Sequence, residues 1–150
     1  MRSLIRWLSD TGTSRPGPSF GLLLLRLGAG GLIVMAHGWS KLSNFGRMST
    51  EFADLIGIGP AASLLLAVFA EFFCGLAVVF GFYTRLAVIP LIIQMFVLVF
   101  IVHAVDPWHS KEFALLFLIP WLTLLFTGAG RYSIDGVLSA NMKTEKVIVV

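Results

Sequence analysis

The chain has a single cysteine, Cys74, among its 150 residues. No intrachain disulfide can form, and no zinc or iron–sulfur site built on cysteine thiolates fits. Charge is also scarce. Asp, Glu, Lys and Arg make up 13% of the residues, about half the ≈ 25% usual in soluble domains. A soluble globule of this size leaves much of its surface in water and needs polar groups to cover it. That shortage argues against a soluble enzyme, a DNA-binding domain and a disordered tail. Also missing are a His-x-x-x-His pair, a nucleotide-binding glycine loop, an internal repeat and a low-complexity tract.

What the chain has instead is apolar sequence. Hydrophobic residues make up 57% of it, and the mean hydropathy is +0.91. Four long apolar stretches, at about 20–37, 61–81, 86–105 and 113–128, each approach the roughly 20 residues a helix needs to cross the hydrocarbon core. The last is the shortest, and extension or tilt accommodates it. The expected fold is an all-α membrane protein: one domain over residues 1–150, folded as a four-transmembrane-helix bundle with short connections. The net charge of +3 then reads as an orientation signal and not as a nucleic-acid footprint.

The basic residues sort by side. Arg2, Arg6, Arg15, Arg85, Arg131, Lys143 and Lys146 make seven at one end; Lys41, Arg47 and Lys111 make three at the other, with Arg26 inside the first span. The positive-inside rule puts both termini in the cytoplasm. A cleaved signal peptide ending at Val34-Met35-Ala36 is the competing reading of the first span. Arg26 interrupts that apolar run, and the run starts late, so a retained helix is expected.

Between spans one and two, Phe45, Met48, Phe52, Leu55 and Ile56 recur at helical spacing, with Lys41, Arg47, Glu51 and Asp54 elsewhere. This pattern predicts an amphipathic interfacial helix. Trp39 and Trp108 join an outer aromatic belt, and Trp7 lies on the inner side with Leu4, Ile5 and Leu8.

Arg26, Glu71 and Gln94 are out of place in apolar spans. A charge at bilayer depth costs at least about 2.5–3.5 kcal/mol, so it faces the bundle interior and finds a partner. At 1.5 Å per residue, Arg26 lies about 9 Å, Glu71 about 15 Å and Gln94 about 12 Å from the cytoplasmic end of their spans. All three fall in one layer about 6 Å thick. One reading is a polar ligand site in which Arg26 pairs with Glu71 and Gln94 supplies an amide, suited to a carbonyl or hydroxyl of a lipophilic ligand such as a quinone. The other is an interhelical salt bridge that fixes packing. Pro90 and Pro120 each free a backbone carbonyl, which tilts slightly toward a cavity.

His37, Lys41 and His103 form a second polar cluster at the outer mouth, with Asp106 and His109 nearby. Histidines at a headgroup interface are ordinarily solvated, and no metal or haem is assigned. Cys74, one turn from Glu71, reads as a buried small residue. Gly28, Gly30, Gly31 and Gly75 read as close helix contacts. At the inner end, Asp135 is placed to pair with Arg85 or Arg131 as a latch.

These residues resemble the DoxX family of small four-helix membrane proteins. The resemblance covers about 20–138. It rests on Arg26 followed by His37-Gly38-x-x-Lys41, on Glu71 with Gly75, on Gly81-x-x-Thr84-Arg85, and on Gly128-x-Gly130-Arg131-x-Ser133-x-Asp135. Cys74 departs from it, standing where a glycine is expected. The resemblance implies a link to quinone-coupled sulfur oxidation, since some relatives look like the membrane subunit of a thiosulfate:quinone oxidoreductase. Other relatives are tied to oxidative-stress complexes or to membrane-protein assembly. We therefore expect a membrane subunit of a quinone-linked redox system in a bacterial inner membrane. It would have no intrinsic cofactor and would bind quinone near Arg26 and Glu71. A partner protein or a second copy would complete the electron path. The alternative is a non-catalytic helper for other membrane proteins; a transporter is weakened by the lack of inverted repeats.

Overall fold

The computed structural model describes residues 13, 15–54 and 57–148, the side chains from 142 onward excepted. The expectations for Arg2, Leu4, Ile5, Arg6, Trp7, Leu8, Leu55 and Ile56, and for the side chains of Lys143 and Lys146, lie outside the described residues. Four helices are long and apolar enough to cross a membrane: α1, Pro16–Ser43; α3, Pro60–Phe80; α4, Thr84–Val102; and α5, Trp108–Thr127. A short α2, Phe45–Met48, follows α1, and α6, Ile134–Ile148, follows α5. No strand occurs among the described residues. The spans match the four apolar stretches, and the fourth is the extended one expected.

Local chemistry sets the helix ends. Pro16 and Pro60 occupy first-turn positions where a missing N–H does no harm. Gly81 ends α3 at φ 68°, with Gly81 N–H donating to Val78 O and Phe82 N–H to Ala77 O. This paired closure needs a residue without a Cβ at the left-handed position.

The amphipathic stretch after α1 is helical only over Phe45–Met48, shorter than its apolar spacing predicts. Asp54, which a longer helix would carry on its polar face, is used elsewhere. Its carboxylate accepts hydrogen bonds from Ile58 N–H at 3.0 Å, Gly59 N–H at 2.9 Å and Ser63 Oγ at 3.1 Å. The chain thus folds back to start α3.

Packing runs α1 against α3, α3 against α4, and α4 against α5, while α5 touches α1 only lightly. Ile33, Val34, Leu64, Val68, Val78, Val88, Leu91, Met95, Trp121 and Leu124 are buried at its centre. Large apolar residues such as Phe69, Phe73, Ile93, Phe100, Leu116 and Ile119 are exposed on the outside, as a lipid-facing surface requires. Of the glycines expected at helix contacts, Gly30 and Gly75 stand there; Gly28 and Gly31 have nothing within 4 Å of a Cβ. Gly38 is a further contact. A Cβ there would lie 2.8 Å from Phe72 N and 2.9 Å from Glu71 C, so the backbones of α1 and α3 meet at this point.

Candidate functional site

The helices widen locally into π turns at Arg26–Gly30 and Ile33–Gly38 in α1, at Phe69–Cys74 in α3 and at Leu98–Val102 in α4. The first three carry Arg26, His37 and Glu71. Single π turns within α-helices often mark functional positions.

Glu71 is 3% exposed, and its charge is met by two side chains. Lys41 Nζ lies 2.6 Å from Oε2, and Gln94 Nε2 donates to Oε1 at 2.6 Å. The triad joins α1, α3 and α4. It exists because Gly38 brings α1 against the backbone of Glu71 and Phe72, so that Lys41, three residues on, has only to lay its long stem down the helix face. Gln94 has its amide oriented by Glu71: the carboxylate must receive N–H. Its carbonyl Oε1 is left buried with no hydrogen-bond partner.

Arg26 does not pair with Glu71. Its side chain, 1% exposed, donates from Nη1 to Val78 O at 3.4 Å and Val79 O at 3.1 Å, and from Nη2 to Tyr132 O. The last carbonyls of a helix have no partner within it and carry the negative end of its dipole. The close of α3 thus offers the guanidinium acceptors at its own level, and Glu71 lies too far up the helix to compete. Arg26 and Glu71 therefore belong to separate centres.

The inner latch is corrected in the same sense. Asp135 is 1% exposed and is not bonded to Arg85 or Arg131. Its carboxylate accepts from Tyr83 N–H at 2.8 Å and Thr84 N–H at 2.9 Å. These N–H groups open α4 and favour an anion. Tyr83, at φ 42°, is held in its left-handed conformation by this contact. Arg85 Nη2 donates to Phe126 O at 3.2 Å, and the Arg131 guanidinium lies 5.2 Å from the centre of the Tyr132 ring. Segment 128–136 is nonetheless a clamp, because Asp135 N–H also donates to Gly81 O and Arg131 N–H to Ser19 Oγ.

The outer-mouth residues divide three ways. Lys41 belongs to Glu71. His103 Nδ1 is 2.8 Å from Asp106 Oδ2. The His37 ring lies tilted against Phe113 at 5.0 Å, beginning a file that continues to Phe117 at 4.8 Å and Trp121 at 5.9 Å. Among the described residues, no group of three or more His, Cys, Asp or Glu is placed to hold a metal ion. Depth along the spans does not reveal Lys41 as the partner of Glu71. Its readable sign is a lysine one turn past the end of the first apolar stretch, with a glycine three residues before it.

Comparison with known proteins bears on this region. The pattern of the DoxX family matches residues 21–104, a segment that contains Arg26, His37, Lys41, Glu71, Arg85 and Gln94. The chain is 30% identical over 125 residues to the "uncharacterized membrane protein Rv3486" of Mycobacterium tuberculosis, covering 73% of this chain and 76% of that protein. It is also 30% identical over 112 residues to the inner membrane protein YqjF of Escherichia coli, covering 72% and 85%. No solved structure matches the chain.

Proposed function

The chain belongs to the DoxX family, and from that premise we propose that it is the membrane subunit of a quinone-linked redox system, with Lys41, Glu71 and Gln94 holding the ligand's headgroup. The observation that carries this reading is the buried, unpartnered Oε1 of Gln94 beside a buried ion pair. Leaving such an acceptor unmade costs about 1–3 kcal/mol. A hydroxyl donor on a lipophilic ring would satisfy it. Lys41 brings three N–H groups, of which Glu71 takes one, so it can also donate to a ring carbonyl. The residues present thus fit both the oxidised and the reduced headgroup. A bound quinone supplies two-electron, two-proton chemistry; this chain's part is to orient the ring and to hold or release a proton at the Glu71 carboxylate.

Electrons come from a partner protein in this reading, since the lone Cys74 and the scattered histidines make no ligand set of their own. The proposed setting is the inner membrane, as in the name of the Escherichia coli relative. The end bearing Arg15, Arg85 and Arg131 faces the cytoplasm, and so do both termini.

One observation favours the helper reading: both oxygens of Glu71 are already occupied and the group is nearly sealed. In that case the triad only locks three helices in register. Quinone binding by the purified protein in nanodiscs separates the two. We expect saturable ubiquinone or menaquinone binding that Glu71→Gln and Gln94→Leu each weaken about tenfold, a loss of ≈ 1.4 kcal/mol, with helical content unchanged. Arg26→Gln, at the other centre, leaves the affinity alone. No saturable binding, or binding indifferent to Glu71→Gln and Gln94→Leu, would transfer the triad to the helper reading.

A further inference from the structure

The bundle is least closed where α5 meets α1. There an open groove of about 470 Å³ is lined by Pro18, Gly21, Leu22, Leu25, Phe126 and Thr127, with Thr13 at its rim. Its lining is mostly apolar and lies at the helix ends far from the Glu71 triad, so the quinone reading does not use it. Its size is within the range of small-molecule sites, ≈ 300–1,000 Å³.

Arg15 and Arg131 border this groove through their backbone contacts, and Arg85 binds one of its lining residues. The Arg15 N–H donates to Thr13 Oγ1 at 3.3 Å. Arg131 N–H donates to Ser19 Oγ at 3.2 Å, and Ser19 Oγ in turn donates to Thr13 O at 3.2 Å. Arg85 Nη2 is bound to the carbonyl of Phe126. Arg15 and Arg131 are exposed. Asp135, the carboxylate of segment 128–136, is buried and committed to the N–H groups of Tyr83 and Thr84. Two exposed basic residues thus stand beside a groove whose floor is hydrocarbon.

We propose that this groove binds an anionic phospholipid, one acyl chain lying along Leu22, Leu25 and Phe126 and the phosphate held between Arg15 and Arg131. Basic pockets between helix ends take up lipid headgroups in this way. The occupant has to be amphiphilic, because neither a free anion nor a neutral chain would use both halves of the site. It also fills the seam that packing leaves between α5 and α1.

Native mass spectrometry of the full chain in detergent, with added phosphatidylglycerol or phosphatidylcholine, tests this. We expect phosphatidylglycerol to be preferred by about fivefold for each arginine, or about 25-fold together. The double variant Arg15→Gln/Arg131→Gln loses that preference. Gly21→Leu fills the groove: a Cβ at Gly21 has nothing within 4 Å, so the fold accommodates the side chain, and both lipids are released. Equal retention of the two lipids, a preference that survives the double variant, or lipid retention unaffected by Gly21→Leu each overturn the proposal. So does displacement by excess inorganic phosphate, which would mark a simple anion site. A dimer that Gly21→Leu converts to monomer would assign the groove to a second copy of the chain.

Discussion

Replacing Lys41 with methionine removes the ammonium but keeps most of the stem. Glu71, 3% exposed, is then left with Gln94 alone. Stranding one member of a buried ion pair costs about 3–5 kcal/mol, and an unpaired charge at bilayer depth costs about 2.5–3.5 kcal/mol. The two ranges meet near 3 kcal/mol, which is the expected loss for Lys41→Met. Glu71→Gln is gentler. The Lys41 side chain is 17% exposed and sits two residues before the end of α1, so the freed ammonium can swing to the interface. About 1 kcal/mol is expected there. The double variant carries no charge at the site and should also lose about 1 kcal/mol, making the pair non-additive by about 3 kcal/mol. Reversible unfolding in mixed micelles, followed by circular dichroism, reads all three variants. Equal losses for the two single variants, or additive losses in the double, would refute the asymmetry and with it the assignment of Lys41 as the counter-ion of Glu71.

Three further outcomes follow from the same geometry. Arg26→Lys replaces a planar fork reaching three carbonyls with a single ammonium; a loss of about 3 kcal/mol is expected, seen as faster hydrogen exchange across segment 128–136. Gly38→Ala forces α1 away from the backbone of α3 and should cost about 1–3 kcal/mol, whereas Gly28→Ala, with open space around it, should be neutral or slightly stabilising in the same unfolding assay. Asp54 is held below its ordinary value of 3.8, chiefly by the hydrogen bond from Gly59 N–H and further by Ser63 and Ile58, against partial desolvation. A depressed carboxylate stabilises the fold above its unfolded pKa and loses that contribution as pH falls through the folded value. The Ile58 and Gly59 amides should therefore lose protection only in acid below that range, and Asp54→Asn should abolish the pH dependence.

The four spans were legible because hydropathy and length are properties of sequence alone, and the lipid imposes both. The polar centres were only half legible. Counting 1.5 Å per residue puts Arg26, Glu71 and Gln94 near one level, and Gln94 does meet Glu71. Depth, however, says nothing of which face a residue occupies or of what backbone groups lie beside it. Arg26 met the carbonyls at the end of α3, and Asp135 met the free N–H groups at the start of α4. Asp54 did the same just before α3. For Arg26 and Asp135, a helix end outcompeted a distant side chain of opposite charge. Lys41 escaped notice as a partner for Glu71 because its Cα lies near the end of its span, while its ammonium reaches inward.

In the proposed function the Lys41–Glu71–Gln94 triad meets a quinone headgroup. Photolabelling with a quinone that carries a photoreactive group on its ring tests it most directly, with peptides of the membrane-reconstituted protein mapped by mass spectrometry. Labels are expected within α1, α3 and α4 around Lys41, Glu71 and Gln94, competed away by unmodified quinone. Labels confined to the α1–α5 groove around Leu22 and Phe126, or spread over the lipid-facing surface without competition, would contradict it.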